Sequence, residues 1–239
     1  MLITENKIKE YANSDKMLVI IPVFNQKWLL ENTIKKLRRL ELSNIIIFDN
    51  GSTYPPLLHF YLKTEIPVCV FPSNPGPRHF VKCSAIWQQL PNIFIATDPD
   101  LEYPDEIPKT VVQDLIDLTS KHKLGKIGLA LDISQEKLYI ENQFHDIRTW
   151  EGNFWQEIID TTPGGDPVYK ALIDTTFALY RKEFLDLHRK VFYTNWYHAP
   201  RVAGRYCCYH YGWYKDRPGP QVEHDYYDNH KTKWSSTQR

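Results

Sequence analysis

The sequence predicts an α/β fold: a single domain on a mostly parallel central sheet with helices on both faces. Three observations predict it. Apolar runs alternate with segments of helical periodicity as far as about residue 125. The runs 17–24 (MLVIIPVF), 44–49 (NIIIFD) and 93–96 (IFIA) are continuously apolar rather than alternating, the mark of strands buried on both faces in a parallel sheet. Each run also ends in polar residues: Asn25, then Asp49-Asn50-Gly51-Ser52, then Asp98 and Asp100. In a doubly wound sheet such strand ends lie side by side at one rim, where ligands bind.

The elements follow in order. Segment 27–40 sets Leu29, Leu30, Ile34, Leu37 and Leu40 at helical spacing, with Lys and Arg opposite. After the strand 44–49, a helix over 54–63 starts at Pro55-Pro56, where proline suits the first turn. A short strand, 68–71, runs into the rigid loop Ser73-Asn74-Pro75-Gly76-Pro77. A helix over 80–90, the strand 93–96 and a helix over 108–121 complete this cadence; in the last, Val111, Val112, Leu115 and Leu118 face inward. Beyond 125 the pattern loosens. A strand at 126–131, the aromatic segment 150–155 (WEGNFW), a strand-like run at 175–180 and a polar, His/Tyr-rich tail after Trp213 are the landmarks. The patch 161–166 (TTPGGD) reads as a mobile loop. With no internal repeat or long linker, 1–239 reads as one domain with two functional halves, about 17–125 and about 126–239.

At 239 residues the chain is long enough for a sizeable core. The 29 basic residues balance 29 acidic ones, so nothing supports nonspecific nucleic-acid binding or a polybasic membrane patch. The longest apolar stretch, 17–24, is too short to span a bilayer, so no integral membrane segment is expected. Cysteines at 69, 83, 207 and 208 match neither a disulfide framework nor a zinc spacing; reduced thiols in a soluble, cytoplasmic protein are the expectation. Aromatic residues, concentrated after Trp150, either fill the core or stack on pyranose rings.

The chemistry begins at Asp98-Pro99-Asp100. Side chains at i and i+2 of extended chain point the same way, and Pro99 biases Asp98 toward extended geometry. Two hard oxygen ligands can then converge on Mg²⁺ or Mn²⁺, and such a metal can bridge a nucleotide diphosphate. The alternative is a solvated acidic turn whose carboxylates cap backbone amides. Asp49 can accept hydrogen bonds from a nucleoside or close an Asx-turn, and Gly51 permits the tight turn beside it. The chain has neither a dinucleotide fingerprint nor a P-loop.

The segments IPVFNQ (21–26), IIIFDNGST (45–53) and ATDPDL (96–101) resemble, in order and spacing, the nucleotide-binding half of GT-A-fold (Rossmann-like) glycosyltransferases, family 2-like. The resemblance covers about 17–125. It implies a nucleotide-diphospho-sugar donor, commonly a UDP-sugar, and Mn²⁺ or Mg²⁺ as cofactor. Carried over, Asp49 contacts the uridine with Pro22, Phe24 and Asn25 beside the base, Asp98 and Asp100 face ribose and metal, and Asn74, Gly76 and Arg78 shape the pocket. The segment 206–215 (YCCYHYGWYK) looks like the region that ends such domains, which makes His210 a metal ligand and Lys215 a partner of the leaving diphosphate; the alternative for His210 is packing among tyrosines.

The second half departs from the best-known pattern: no Glu-Asp pair followed by Gln-x-x-Arg-Trp occurs. If the anomeric centre inverts, a base is needed, and Asp174 and Glu151 are the carboxylates to test first. A buried, hydrogen-bonded Asp and a helix-surface Glu are the competing readings, and retention stays open. The expected function is metal-dependent transfer of a sugar to a hydroxyl of a glycan or glycolipid acceptor, in surface polysaccharide or glycan synthesis. The alternatives are a noncatalytic nucleotide-sugar or carbohydrate-binding domain and a sugar-phosphate nucleotidyltransferase. The latter expects a glycine-rich loop after the first strand, where this chain has Pro22-Val-Phe-Asn-Gln-Lys27.

Overall fold

The computed structural model describes residues 1–135, 144–171, 176–185 and 199–232. By internal packing the chain forms two compact units, Met1–Asp100 with Arg217–Arg239, and Leu101–Asp216.

In the first unit the predicted alternation of strand and helix is present: β1 (Leu2–Ile3), α1 (Ile8–Ala12), β2 (Leu18–Val23), α2 (Lys27–Arg39), β3 (Asn44–Asp49), α3 (Pro55–Lys63), β4 (Val68–Val70), α4 (His79–Lys82), α5 (Ser84–Gln89) and β5 (Ile93–Ala96). The helix expected over 80–90 is divided at Cys83, which takes an extended conformation. The five strands lie in the order β1-β4-β3-β2-β5, every pair parallel. All six residues of β2 are buried. Because successive side chains point to opposite faces, both faces of that strand are covered, which is why its sequence is an unbroken apolar run. Each buried Ile or Val contributes about 1.5–3 kcal/mol of hydrophobic stabilisation. From β2 the chain steps outward through β3 and β4, then crosses to the other side of β2 to lay down β5. That reversal makes the gap between the carboxyl ends of β2 and β5 a topological switch point, the usual place for a ligand crevice.

The second unit begins with β6 (Leu101–Glu102) and α6 (Val111–His122), whose last turn closes on a left-handed Lys123. It continues through β7 (Lys126–Leu129), α7 (Phe144–Gly152), β8 (Ile158–Thr161), β9 (Pro167–Tyr169), β10 (Ala178–Arg181), β11 (Arg201–Val202) and β12 (Tyr209–His210). Here β7 pairs antiparallel with β10 and parallel with β11, and β11 pairs antiparallel with β9. A separate antiparallel pair joins β12 to β6, with His210 opposite Leu101. Lys126 is buried with its ammonium 4.9 Å from the centre of the Tyr180 ring, an arrangement that offsets part of its desolvation.

One expectation is corrected in this unit. The patch 161–166 is a hydrogen-bonded hairpin turn between β8 and β9, not a mobile loop. Thr162 N–H donates to the Asp166 carbonyl (2.8 Å), Gly165 N–H to the Thr162 carbonyl (2.9 Å), and Arg205 clamps the Asp166 carboxylate (2.6 Å). The same glycines that suggested mobility supply the turn, Gly165 with a φ of 85°.

Candidate active site

The rim of the first unit gathers the carboxyl ends of β2, β3, β4 and β5. Backbone bonds stitch it together: Asn50 N–H to the Val23 carbonyl, Phe71 N–H to the Asp49 carbonyl, and Thr97 N–H to the Ile20 carbonyl. Pro22 is buried within β2, and Phe24 emerges half-buried from its end. Asn25 then takes a left-handed conformation (φ 55°), which Asn tolerates better than most residues. Its side chain turns inward: Oδ1 accepts from Thr53 N–H (2.7 Å) and Tyr54 N–H (3.0 Å), while Asn25 N–H donates to Ser52 Oγ (2.9 Å). Asn25 therefore locks the β2 end to the β3 end. Its buried Nδ2 finds no acceptor among the described residues.

Asp49 is fully buried. One carboxylate oxygen accepts Ser52 N–H (2.9 Å) in an Asx-turn and the other accepts the Tyr61 hydroxyl (2.7 Å). Burial pushes its pKa up, against the opposing pull of these hydrogen bonds, and raises Tyr61 with it. Gly51 (φ 72°) makes the turn possible: a Cβ there would stand 3.0 Å from the Ser73 backbone, so the β3 and β4 loops approach at van der Waals contact. In the β4 loop Asn74 Oδ1 accepts Gly76 N–H (3.0 Å), Gly76 is buried with a φ of 94°, and Arg78 stands half-buried at the start of α4.

At the end of β5, Thr97 is buried and Asp98 and Asp100 are both partly exposed, flanking a buried Pro99. The turn between them is fixed: the buried Thr33 hydroxyl of α2 donates to the Pro99 carbonyl (2.7 Å). A divalent cation suits this donor set, since two carboxylates on a held turn are hard oxygen ligands and Mg²⁺ commonly fills the rest of its shell with phosphate oxygens and water. Among the described residues, no group of three His, Cys, Asp or Glu side chains is gathered to hold a metal.

A feature the sequence reading missed covers these same loops. The helix Gln221–Asn229, which belongs to this unit, lays Tyr227 edge-on against Phe24 (6.4 Å between ring centres) and Tyr226 against Tyr54 (4.9 Å). The Tyr226 hydroxyl bonds Thr53 Oγ1 (3.0 Å), and Thr232 accepts from Asn74 Nδ2 (3.4 Å). The buried Glu223 carboxylate accepts Trp28 N–H at 2.9 and 3.0 Å, closing the otherwise open first turn of α2, and burial raises its pKa. The signal was slight: a Pro220 start and two tyrosines in a polar segment.

In the second unit Glu151 is neither surface-exposed nor poised toward solvent. It is buried at the end of α7 in an ion pair with the equally buried Arg201, whose guanidinium lies 4.5 Å from the centre of the Phe154 ring. Asp174 lies outside the described residues. His210 is buried with its ring stacked on Trp213 (4.8 Å between centres, 20° between planes), so it packs among aromatic side chains. Lys215 is exposed. The four cysteines are free; burial pushes the Cys69 and Cys207 thiols up to about 12, which leaves neither a nucleophile near neutral pH. Among the described residues no helix is long and apolar enough to cross a membrane.

No family model matches the chain. The uncharacterized protein MJ1222 of Methanocaldococcus jannaschii is 28% identical over 104 residues, 41% of this chain and 42% of that protein. Among solved structures, GalNAc-T7 with UDP, GalNAc and Mn²⁺ gives a TM-score of 0.52 at 15% identity, covering 83% of this chain and 44% of that one. Glucosyl-3-phosphoglycerate synthase from Mycobacterium tuberculosis, in complex with Mn²⁺, UDP and glucosyl-3-phosphoglycerate, gives 0.41 at 16% identity over 76% of this chain and 62% of that one. The chain thus spans less than two thirds of the length of each of these relatives. The parallel sheet with its switch point, together with the likeness to GalNAc-T7, shows that the chain has a GT-A-like α/β fold.

Proposed function

We propose that this protein is a metal-dependent glycosyltransferase that moves a sugar from a nucleotide-diphospho-sugar, a UDP-sugar by preference, to a hydroxyl of a glycan or glycolipid. The observation that carries the reading is the Asp98-Pro99-Asp100 turn: two partly exposed carboxylates at the end of β5, beside the switch point, on a turn held by Thr33. Asp98 and Asp100 would hold Mn²⁺ or Mg²⁺, which supplies Lewis-acid stabilisation to a departing diphosphate. The chain's own residues do the rest. Phe24 and the Asn25-braced loops would form the wall beside the base; Asp49, expected from the resemblance to contact the uridine, is buried against Ser52 and Tyr61 and would act by keeping the β3 turn in shape; Asn74, Gly76 and Arg78 would border the pocket. On the sequence motif alone, His210 is kept as a candidate ligand and Lys215 as a candidate partner of the phosphates. Asp174 is kept as the candidate base or acceptor-holding carboxylate.

One observation favours a second reading, a noncatalytic nucleotide-sugar-binding domain: the ion pair to Arg201 withdraws Glu151 from base chemistry. A thermal-shift titration of UDP with and without Mn²⁺ tests the main reading. Ligand at a hundredfold its Kd stabilises by about 2.7 kcal/mol, about 5–10 °C for a protein of this size, and that shift should require metal and vanish in Asp100→Ala. No shift with any nucleoside diphosphate removes the proposal's support. A metal-dependent shift without turnover of UDP-sugars on any acceptor tried selects the binding-domain reading.

A further inference from the structure

Helix α2 carries one polar residue in its buried stripe. Of Leu29, Leu30, Thr33, Ile34 and Leu37, only Thr33 is polar, and it is fully buried. Threonine is a poorer helix former than leucine, so helix propensity does not account for it. A threonine hydroxyl inside a helix can return to a carbonyl three or four residues back. This one reaches 66 residues along the chain and donates to the Pro99 carbonyl at 2.7 Å. Its support is firm: the four apolar neighbours are buried, and the Glu223 carboxylate closes the first turn of α2 through Trp28 N–H.

The bond falls at a decisive place in the backbone. From Asp98 Cα to Asp100 Cα the chain runs through two planar peptide units joined at Pro99 Cα. Only φ and ψ of Pro99 can change how those two Cα atoms stand to each other. The pyrrolidine ring holds φ at about −65°. The Pro99 carbonyl lies in the same plane as Asp100 N and Cα, so a hydrogen bond that aims this carbonyl also holds ψ. Ring and hydroxyl together leave the two aspartates a fixed backbone spacing.

Spacing matters more to some cations than to others. Mg²⁺ demands near-ideal octahedral geometry at about 2.0–2.1 Å, whereas Ca²⁺ accepts irregular shells at about 2.3–2.6 Å. A held turn can match the first; a loose one serves the second nearly as well.

We propose that Thr33 is a positioning residue for the metal and that, by holding the last free dihedral between Asp98 and Asp100, it sets the site for Mg²⁺ or Mn²⁺ over Ca²⁺. The metal itself rests on the transferase reading; the restraint on the turn rests on the hydrogen bond alone.

Mn²⁺ titration of the full chain, followed by the loss of the free-ion EPR signal, tests it. UDP is kept at one concentration so that its own chelation is common to every variant, and Mg²⁺ and Ca²⁺ are measured by displacing Mn²⁺. The wild type should take Mg²⁺ more tightly than Ca²⁺. Thr33→Val, which keeps the shape and removes the donor, should weaken Mn²⁺ and Mg²⁺ by about 10–100-fold. Ca²⁺ should weaken by less than about threefold, so the preference moves toward the larger ion. Thr33→Ser should restore the wild-type preference. Pro99→Ala frees φ while leaving the carbonyl in place, and it should shift the preference the same way even if Thr33→Val does not fold. Overturning results are wild-type ion affinities in Thr33→Val, loss of all three ions by one common factor, failure of Thr33→Ser to rescue, or a wild type that takes Ca²⁺ as tightly as Mg²⁺. If the wild type binds Mn²⁺ in a manner abolished by Asp100→Ala and Thr33→Val matches it, the positioning role falls and the metal reading stands. If the wild type adds no Mn²⁺ uptake to that of UDP alone, both fall.

Discussion

The two units obey different rules. In the first, five parallel strands are made of continuous apolar runs, and their polar ends meet at one rim. In the second, strands run in both directions, three of those among the described residues are only two residues long, and β8 at its edge has no buried residue. The first unit is held by apolar burial on both faces of its strands; the second relies more on pairs of polar groups. Buried Glu151 meets Arg201, Asp166 meets Arg205, and Asp114 accepts the Tyr206 hydroxyl (2.5 Å) and the Thr110 hydroxyl (2.7 Å). In the first unit buried carboxylates brace loops, Asp49 through Ser52 and Tyr61 and Glu223 through Trp28; in the second they meet arginines or hydroxyls. Candidate metal-binding carboxylates fall in the first unit, and a candidate base in the second turns out to be occupied.

That contrast can be broken by substitution. The largest effect is expected at the rim: Asp100→Ala should reduce sugar transfer at least a thousandfold, about 4 kcal/mol of transition-state stabilisation, measured as kcat/KM. Next is Glu151→Ala, which removes one buried partner of the buried Arg201 and should cost about 3–5 kcal/mol of stability in chemical denaturation. Were Glu151 instead a solvent-facing base, the same variant would keep its stability and lose only turnover.

A smaller effect separates the tail helix from the sheet it covers. Glu223→Ala removes the carboxylate that closes the start of α2 and should cost about 0.5–2 kcal/mol. Since the helix lies on Phe24, Thr53 and Tyr54, the variant should also change UDP affinity; equal affinity would mean that the helix takes no part in shaping the nucleotide loops. The smallest effect concerns acid. Hydrogen bonds from Lys121 and His122 hold the Asp160 carboxyl well below the usual carboxylate range. A carboxyl depressed in the folded state contributes stability above its unfolded pKa of about 3.9 and loses it as pH falls through the folded value. The stability gap between the wild type and Asp160→Asn should therefore be constant above about pH 5 and close as the pH drops below 4.

The same contrast explains what was legible. Strands β2, β3 and β5 could be read because burial on both faces leaves an unbroken apolar run, and the Asp98-Pro99-Asp100 turn because it follows one. Strand β8 was not, because Ile158–Thr161 sits at an edge where no apolar pattern is required. The helix Gln221–Asn229 escaped because its docking is aromatic and polar, through Tyr226, Tyr227 and Glu223, and its partners lie some two hundred residues earlier. The engagement of Glu151 could not be seen either: nothing in the spacing of WEGNFW points to an arginine fifty positions on.

The most direct test of the metal-centred rim is a crystal structure grown with Mn²⁺ and UDP. The expected result is a metal ion about 2.0–2.3 Å from a carboxylate oxygen of Asp98 or Asp100, bridged to the diphosphate, with the uridine against Phe24. Nucleotide bound away from the β2 and β5 ends, or bound there with no metal at either aspartate, would contradict it.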